Sequence, residues 1–536
     1  MPSSSFTTLA LASALTYLYT YSSQASLSIT NAVLLTCSIF LLLYLIWSLF
    51  LRPVYFSPLR NLPGPARKSW KHFFKIYNPN EVLEFVDTVP NNGIIRYLDI
   101  LNSEMISITD PKLVAEMLGP RADHLNKRPK IKVIMESILG NGLVVAEGKD
   151  HKYQRKHLLP AFNHKVIKNL YPTFWSKATE MTSLMTEQIQ SSSPKDLSMV
   201  VDFDDWAGRV SLDIIGLAGF GSAFHALSSP ETDLNTAYRA AFLPNKNSRM
   251  FFILSLLTHP TLVYMLPIEH SKRLREGVNA VTRWIRGFIA KRQHDKPEKT
   301  EGSTFVHQDI ISAAMEGGAF GVENLVDQSK TLLGAGHETS ATAVTWGIYL
   351  LSQPRYAHIQ NRLRQEVREY LPSPSSGIEV TEDMLEKLPY LDAVSKEILR
   401  VYAPVPLLGR IVHSPMEIGG VTFPKGTVLL VHMWAINKSK KLWGEDAHEF
   451  NPDRWLKDKV NGGATENGFL SFGAGTRSCI GRGFAIAENK ALLAQLIGSF
   501  DIKPPHGETE DLDISWGITA RIVGGLHMKT SVLEGW

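Results

Sequence analysis

Residues 32–51 read AVLLTCSIFLLLYLIWSLFL, twenty consecutive positions without a charge. As a helix such a run is ~30 Å long, the thickness of a bilayer's hydrocarbon core. A cleaved signal peptide would carry a basic segment before its apolar run and a small-residue cleavage site after it, and neither is present. The run therefore reads as an uncleaved transmembrane anchor, with Cys37 a small apolar thiol against lipid. Arg52, Arg60, Arg67, Lys68 and Lys71 follow it, whereas no charged side chain precedes it. By the positive-inside rule the bulk of the chain is cytosolic, and the sequon at Asn437 is then an ordinary surface turn. Residues 6–21 are also uncharged and are expected to lie at the interface or form a second short span.

Pro53, Pro58, Pro63 and Pro65 follow the anchor. Prolines at this density are expected to break the helix and give a stiff connector. The division is a lumenal segment 1–31, an anchor 32–51, a hinge 52–68 and a body 69–536. Helical periodicity runs through about 165–190, 203–219, 268–293, 323–352, 354–370 and 383–402. Short β-rich stretches are fewer: 94–100, 105–108 and 419–431, the last with a turn at Pro424-Lys425-Gly426. The charged stretch 291–303 reads as an exposed loop between helices. The expectation is one large, mainly α domain with a small β-sheet, α+β in class.

Composition excludes several functions. Two cysteines in 536 residues rule out a disulfide-stapled scaffold and any zinc site needing two thiolates. Fifty-six Lys+Arg against 52 Asp+Glu, a formal charge of +4, is too balanced for nucleic-acid binding on charge alone. His337-Glu338 lacks the second histidine of a zinc-protease motif, and no complete dinucleotide, ATP or nucleophile-elbow motif occurs.

What remains is the second cysteine, in Phe472-Gly473-Ala474-Gly475-Thr476-Arg477-Ser478-Cys479-Ile480-Gly481. Its glycines permit tight turns and a close approach to something flat and bulky. A helix over 483–499 would put Cys479 just before an N-terminus, where dipole and free N–H groups stabilise a thiolate. A single thiolate beneath a flat ligand is what haem iron takes as an axial partner.

The pattern Phe-x-x-Gly-x-Arg-x-Cys-x-Gly resembles the haem-binding loop of the cytochrome P450 family. Three further matches stand in family order. Ala335-Gly336-His337-Glu338-Thr339-Ser340 resembles the oxygen-activation motif, in which the acid–alcohol pair Glu338 and Thr339 relays protons, and Gly336 is expected to leave space for oxygen. Glu397-Ile398-Leu399-Arg400, with Arg454 in Phe450-Asn451-Pro452-Asp453-Arg454-Trp455, resembles the buried Glu–Arg–Arg network that supports the cysteine. Residues 148–155 resemble the WxxxR helix, with His151 in place of the commonest Trp and Arg155 one turn on. Arg410 and Arg477 also match propionate-contacting positions.

The resemblance implies a cytochrome P450 fold carrying haem b, its iron ligated axially by Cys479, with Phe472, His151, Arg155, Arg410 and Arg477 as cofactor-binding residues. It implies a microsomal, fungal-type monooxygenase of the endoplasmic reticulum membrane, using O2 and electrons from NADPH through a membrane-bound NADPH–cytochrome P450 reductase. Lys152, Lys156, Lys438, Lys440, Lys441 and Arg482 would face that partner. The implied pocket walls are 130–142, the helix before Thr339, 405–409 and 516–519, with Ile134, Leu139, Leu332, Leu333, Val405, Leu407, Leu408 and Ile518 making them apolar. The substrate is expected to be a hydrophobic small molecule of fungal specialised metabolism, a terpenoid or polyketide. A fatty acid is the alternative within the class. From other classes, a haem-thiolate sensor or oxygen-independent isomerase has no need of the Glu338–Thr339 pair, and a non-haem interaction protein leaves the cysteine loop unexplained.

Overall fold

The computed structural model describes residues 29–66, 73, 75–193, 195–242, 248–294, 309–456, 468–507 and 512–536. Residues 6–21, Arg67, Lys68 and Lys71 lie outside them, as does the part of the expected loop beyond His294.

The apolar run forms helix α1 (Ile29–Ile46), which continues without a break into a π-helical segment, Trp47–Phe56. Leu34, Leu35, Leu41 and Leu42 are all more than half exposed, and Cys37 is exposed with them. Residues Cys37–Phe56 are long and apolar enough to cross a membrane. The helix does not end at the first proline as expected, because Pro53 lies inside it. A proline interrupts a helix by removing an N–H and orphaning the carbonyl four residues back. In a π-helix the pairing reaches five residues back, so the orphan here is Ser48 O; the adjacent Leu49 O accepts from Asn102 Nδ2 at 2.5 Å. Pro53 O accepts from Arg96, Arg96 N donates to Pro63 O at 2.8 Å, and Ser57 Oγ donates to Glu104 at 2.6 Å. The connector is thus hydrogen-bonded along its length to the first strands of the body.

Among the helices of the body are α2 (Gly148–Leu158), α3 (Tyr171–Ser192), α4 (Phe203–Phe220), α5 (Glu269–His294), α6 (Val322–Ser352), α7 (Ala357–Tyr370), α8 (Pro389–Val401) and α9 (Arg482–Ser499). Local chemistry sets several boundaries. Asp202 caps α4 by accepting from Asp204 N at 3.0 Å, and Gly221 ends it in the left-handed region at φ 59°. Glu366 of α7 accepts from Tyr390 N and Leu391 N at 2.9 and 2.8 Å, capping α8 from outside. The expected helix 383–402 is split, since Glu382–Leu385 forms a separate turn and Pro389 opens α8. Residues 291–294, read as loop, are the last turn of α5.

The centre of the core is α9, every residue of which from Ala487 to Gly498 is buried. Its buried polar residues are paired with neighbouring elements: Glu488 with Ser340, Asn489 with Ser395, Lys490 with Asp392 and Gln495 with Thr179. α6 crosses α4 closely: a Cβ on Gly336 would fall 2.8 Å from Ile215 Cδ1, and one on Gly219 3.0 Å from Leu332 Cδ2. Gly336 therefore serves the α4–α6 contact; it faces the neighbouring helix and not the space expected for oxygen.

The strands are β1 (Ile94–Leu98), β2 (Glu104–Ile108), β3 (Leu125–Asn126), β4 (Ser198–Asp202), β5 (Leu407–Val412), β6 (Met416–Ile418), β7 (Val421–Phe423), β8 (Val428–His432), β9 (Phe500–Lys503), β10 (Ile514–Trp516), β11 (Ala520–Ile522) and β12 (His527–Val532). They form a five-stranded sheet in the order β1-β2-β8-β5-β3, a three-stranded sheet β4-β12-β9, and the pairs β6-β7 and β10-β11. The stretch 419–431 is not one hairpin, because β7 pairs with β6 while β8 lies between β2 and β5. The fold is mainly helical with small sheets, as the sequence implied.

Candidate active site

Cys479 closes a short loop between a 3₁₀ turn, Gly475–Arg477, and the start of α9. Its N–H donates to Phe472 O at 2.8 Å, and Gly473 N donates to Leu470 O at 2.7 Å. Gly473 and Gly475 have φ of 70° and 62°, which only glycine adopts freely. A Cβ on Gly475 would also lie 2.4 Å from Leu118 O, so this glycine lets the loop approach protein backbone rather than a ligand.

The Cys479 side chain is solvent-accessible yet deep within protein mass. Burial pushes its thiol pKa up, against the Gly481 N–H and the charges of Arg155 and Arg482. The lowered thiol expected from the helix N-terminus is therefore not what the protein alone produces. Desolvation outweighs one N–H and two guanidinium groups, and direct bonding to a metal cation is what deprotonates such a thiol outright.

Around the loop stands a group of cations drawn from distant parts of the chain. Arg155 donates to Ser478 O at 2.7 Å and Ser478 Oγ at 3.3 Å. Arg477 donates to Ala146 O at 3.3 Å, and Arg410 to Gly409 O at 2.8 Å. Lys127, which the sequence did not single out, donates to Val145 O and Ala146 O at 3.3 and 3.2 Å. Burial and then Arg410 bring its pKa down to about 7. Burial and then Arg477 bring that of Arg410 down to about 10. His151 is lowered to about 3 by burial first and then by Arg477, Arg155, Lys127 and Arg410, so its imidazole is neutral. Among the described residues no carboxylate pairs with Arg155, Arg410, Arg477 or Lys127 in an ion pair. The nearby acid, Glu147, accepts from Lys127 N and from Lys132 Nζ at 3.0 Å. Glu147 acts on Lys127, Arg410 and Arg477, but one acid does not balance four half-buried cations; an excess of like charge away from water is costly, so this cluster suits an anionic ligand of more than one charge. A thiol and a cation cluster in one place fit haem, whose two propionates supply those charges.

Glu338 and Thr339 lie on α6, and among the described residues no hydrogen bond joins either to the cysteine loop. Thr339 Oγ1 donates back to Ala335 O at 2.7 Å. Glu338 Oε1 accepts from Thr519 Oγ1 at 2.5 Å. The next residue, Ser340, donates to Glu488 Oε2 of α9 at 2.5 Å, tying α6 to the helix that follows Cys479. His337 is a satisfied core residue, hydrogen-bonded to Tyr238 Oη at 2.7 Å and to Gly208 O at 2.8 Å.

Glu397, Arg400 and Arg454 form the expected network, their side chains fully buried: Arg400 Nη2 and Arg454 Nε reach Glu397 Oε1 at 2.7 and 3.0 Å.

Lys438 is corrected. It is buried, its ammonium 4.3 Å and 4.5 Å from the Tyr402 and Trp434 ring centroids, and burial lowers its pKa to about 7. It cannot face a partner, and with Asn437 and Ser439 buried beside it the sequon is not the surface turn expected. Lys152, Lys156, Lys440, Lys441 and Arg482 are exposed, though Lys152 pairs with Asp123 and Lys440 with Glu445. Of the expected pocket walls, Leu139 and Leu333 are core residues, whereas Leu407 and Ile518 are 38% and 56% exposed. A surface cleft of about 390 Å³ lined by Trp206, Asp205 and Arg209 contains none of the expected site residues.

Comparison with known proteins places these features in context. The family model described as Cytochrome P450 matches residues 63–527, beginning within the proposed hinge. The cytochrome P450 monooxygenase sphH of Aspergillus fumigatus is 38% identical, over 95% of this chain and 94% of its own. The cytochrome P450 monooxygenase FUM15 of Gibberella moniliformis is 35% identical over 91% and 90%, and buaD of Petromyces alliaceus 33% over 92% and 92%.

Proposed function

The chain belongs to the cytochrome P450 family and is a monooxygenase, and from that premise we propose that it oxidises a hydrophobic specialised metabolite at the endoplasmic reticulum membrane. The observation that carries the site assignment is the convergence of Cys479 with four half-buried cations, Lys127, Arg155, Arg410 and Arg477, and the neutral His151, none of the cations in an ion pair among the described residues. When bound, haem supplies the oxygen-activating centre, through which O2 gives one atom to substrate and one to water. Cys479 would bind its iron through the thiolate. The four cations and the His151 N–H would hold the propionates, and Phe472 closes the cysteine loop through its carbonyl.

Glu338 and Thr339, on α6, handle protons. Burial raises the Glu338 carboxyl pKa above the usual carboxylate value, against the Thr519 hydrogen bond and Arg521, which makes it a better proton donor than an exposed acid. Thr339, with a hydroxyl that both donates and accepts, passes them on. Thr339→Ala is expected to leave NADPH consumption running while product per NADPH falls about 10²-fold, measured by peroxide release and product analysis in parallel. Unchanged coupling would remove Thr339 from the mechanism.

No nucleotide motif occurs in the chain, which supports a separate NADPH–cytochrome P450 reductase as electron donor. Lys156, Lys441 and Arg482 are the exposed cations of the proposed docking face without a carboxylate partner among the described residues. Raising ionic strength from 0.01 to about 0.15 M shortens the screening length from ~30 to ~8 Å and is expected to slow reductase-driven reduction several-fold. Salt-independent reduction would exclude steering by these residues.

α1 and its extension anchor the catalytic body, with residues 1–31 lumenal and the hinge leading into it from the cytosolic side. The substrate class is tested by deleting the gene, comparing lipophilic metabolites by mass spectrometry, and supplying the accumulated compound to the enzyme under isotopically labelled O2. Product carrying one labelled oxygen supports the reading; a product without label refutes it.

A further inference from the structure

The acid and the alcohol of α6 do not hold each other. Thr339 is occupied by the carbonyl of Ala335, and the Glu338 carboxyl is turned toward the β10–β11 hairpin, where Thr519 Oγ1 donates to it at 2.5 Å. Thr519 is 3% exposed, so bulk water does not compete for its hydroxyl. The hairpin tip is fixed on both sides. Gly517 N donates to Thr519 O at 3.2 Å, Ala520 N donates to Pro404 O at 2.9 Å, and Ala520 O accepts from Trp346 Nε1 of α6 at 2.8 Å. Trp346 lies two turns beyond Glu338 on the same helix, so hairpin and helix are clamped together at two points. Ile518, one residue before Thr519, is 56% exposed.

The charged surroundings of the carboxyl come from several elements. Arg521 of β11 pairs with Asp204 of α4 at 2.6 Å, and Tyr238 Oη lies behind His337. Burial raises the Glu338 pKa, the Thr519 hydrogen bond and Arg521 lower it, and Asp204 raises it. A short bond from a hydroxyl to a carboxylate is among the stronger hydrogen bonds a protein makes. Among the contacts described for the Glu338 side chain, Thr519 supplies the hydrogen bond.

We propose that Thr519 is a positioning residue for the reaction: its hydroxyl fixes the Glu338 carboxyl against the hairpin and ties the proton-handling acid to the tip that carries Ile518. The proposal rests on the reading of Glu338 as that acid.

The experiment uses the full-length holoenzyme with NADPH–cytochrome P450 reductase and no added substrate, and compares Thr519→Val, which keeps the shape, with Thr519→Ser, which keeps the hydroxyl. Without substrate, one NADPH, one proton and O2 give hydrogen peroxide, whereas two NADPH, two protons and O2 give two waters. The ratio of peroxide to NADPH therefore reports proton delivery. A second readout, independent of turnover, is the infrared band of the protonated Glu338 carboxyl, assigned by its loss in Glu338→Gln and followed against pH.

Thr519→Val is expected to raise the peroxide share several-fold and to move the midpoint of the band to higher pH, since the lost bond stabilised the carboxylate. Thr519→Ser should restore both. The proposal is overturned if Thr519→Val leaves both at wild-type values, or if serine behaves as valine. Glu338→Gln separates the two levels: if it leaves the peroxide share unchanged, the proton-handling reading of Glu338 fails, whereas a raised share in Glu338→Gln with an unmoved one in Thr519→Val defeats only the role of Thr519.

Discussion

Cys479→Ala is expected to reduce monooxygenase turnover to background, a loss of at least a thousandfold as an order of magnitude, because outer-shell changes at metal sites alone cost about 10–100-fold. The reduced carbon monoxide spectrum should lose its thiolate-type Soret band at the same time. The substitution is clean. The loop is held by backbone bonds, Cys479 N to Phe472 O at 2.8 Å and Ser478 N to Gly475 O at 3.2 Å, which alanine keeps. Arg155 grips Ser478, not the sulfur. Lys127, His151, Arg410 and Arg477 are untouched, so the propionate sites persist and some haem should still be retained, now without its thiolate. Thermal unfolding of the haem-free protein should hardly change, since truncating one accessible side chain opens no core cavity. Persistence of the thiolate-type band in Cys479→Ala would dismantle the site assignment.

That substitution could have been chosen from the sequence, whereas others could not, and the difference is physical. The cysteine loop, Glu397-x-x-Arg400 and the long helices are local patterns, in which spacing along the chain fixes spacing in space. The helices expected over 203–219 and 323–352 are found as Phe203–Phe220 and Val322–Ser352 for this reason. β4 escaped notice because it gains its partner, β12, from more than three hundred residues away. Lys127 has no local mark separating it from any other lysine; only the fold brings it beside Arg410. Thr519 is 181 residues from the carboxyl it holds. Two expectations failed through competing effects. Gly336 had the right identity for a groove, but its face turns to Ile215. Lys438 belonged to a charged run, yet its stem and ammonium are folded between aromatic rings, where a cation–π contact replaces water.

Glu397→Ala is expected to destabilise the protein by about 3–5 kcal/mol, the usual cost of stripping one partner from a buried ion pair. Total stabilities of about 5–15 kcal/mol make that a large fraction. Both Glu397 oxygens are saturated. Oε1 accepts from Arg400 Nη2 at 2.7 Å, Asn451 N at 2.9 Å and Arg454 Nε at 3.0 Å, and Oε2 from Arg400 Nε and Trp455 Nε1, each at 2.8 Å. Removing the carboxylate leaves two guanidinium groups with no exposed side-chain surface, Arg454 still paired with Asp446 at 2.9 Å but Arg400 held by backbone carbonyls alone. The damage should reach the active site by a traceable route. Arg400 Nη1 also donates to Asn437 O at 2.6 Å; Asn437 Nδ2 donates to Ser471 Oγ at 2.9 Å, and Ser471 Oγ to Leu399 O at 2.7 Å. Ser471 immediately precedes Phe472, so the network holds the entry to the cysteine loop. Glu397→Ala should accordingly lose the thiolate-type spectrum in proportion to folded protein. Glu397→Gln should fall short of rescue, because its amide presents donors to donors. Glu323→Ala, which breaks only the exposed pair with Arg286, serves as the comparison and should leave denaturant midpoints nearly unchanged. If Glu397→Ala unfolds at the same denaturant concentration as Glu323→Ala, the network does not hold the fold, and the route from α8 to Cys479 carries no mechanical role.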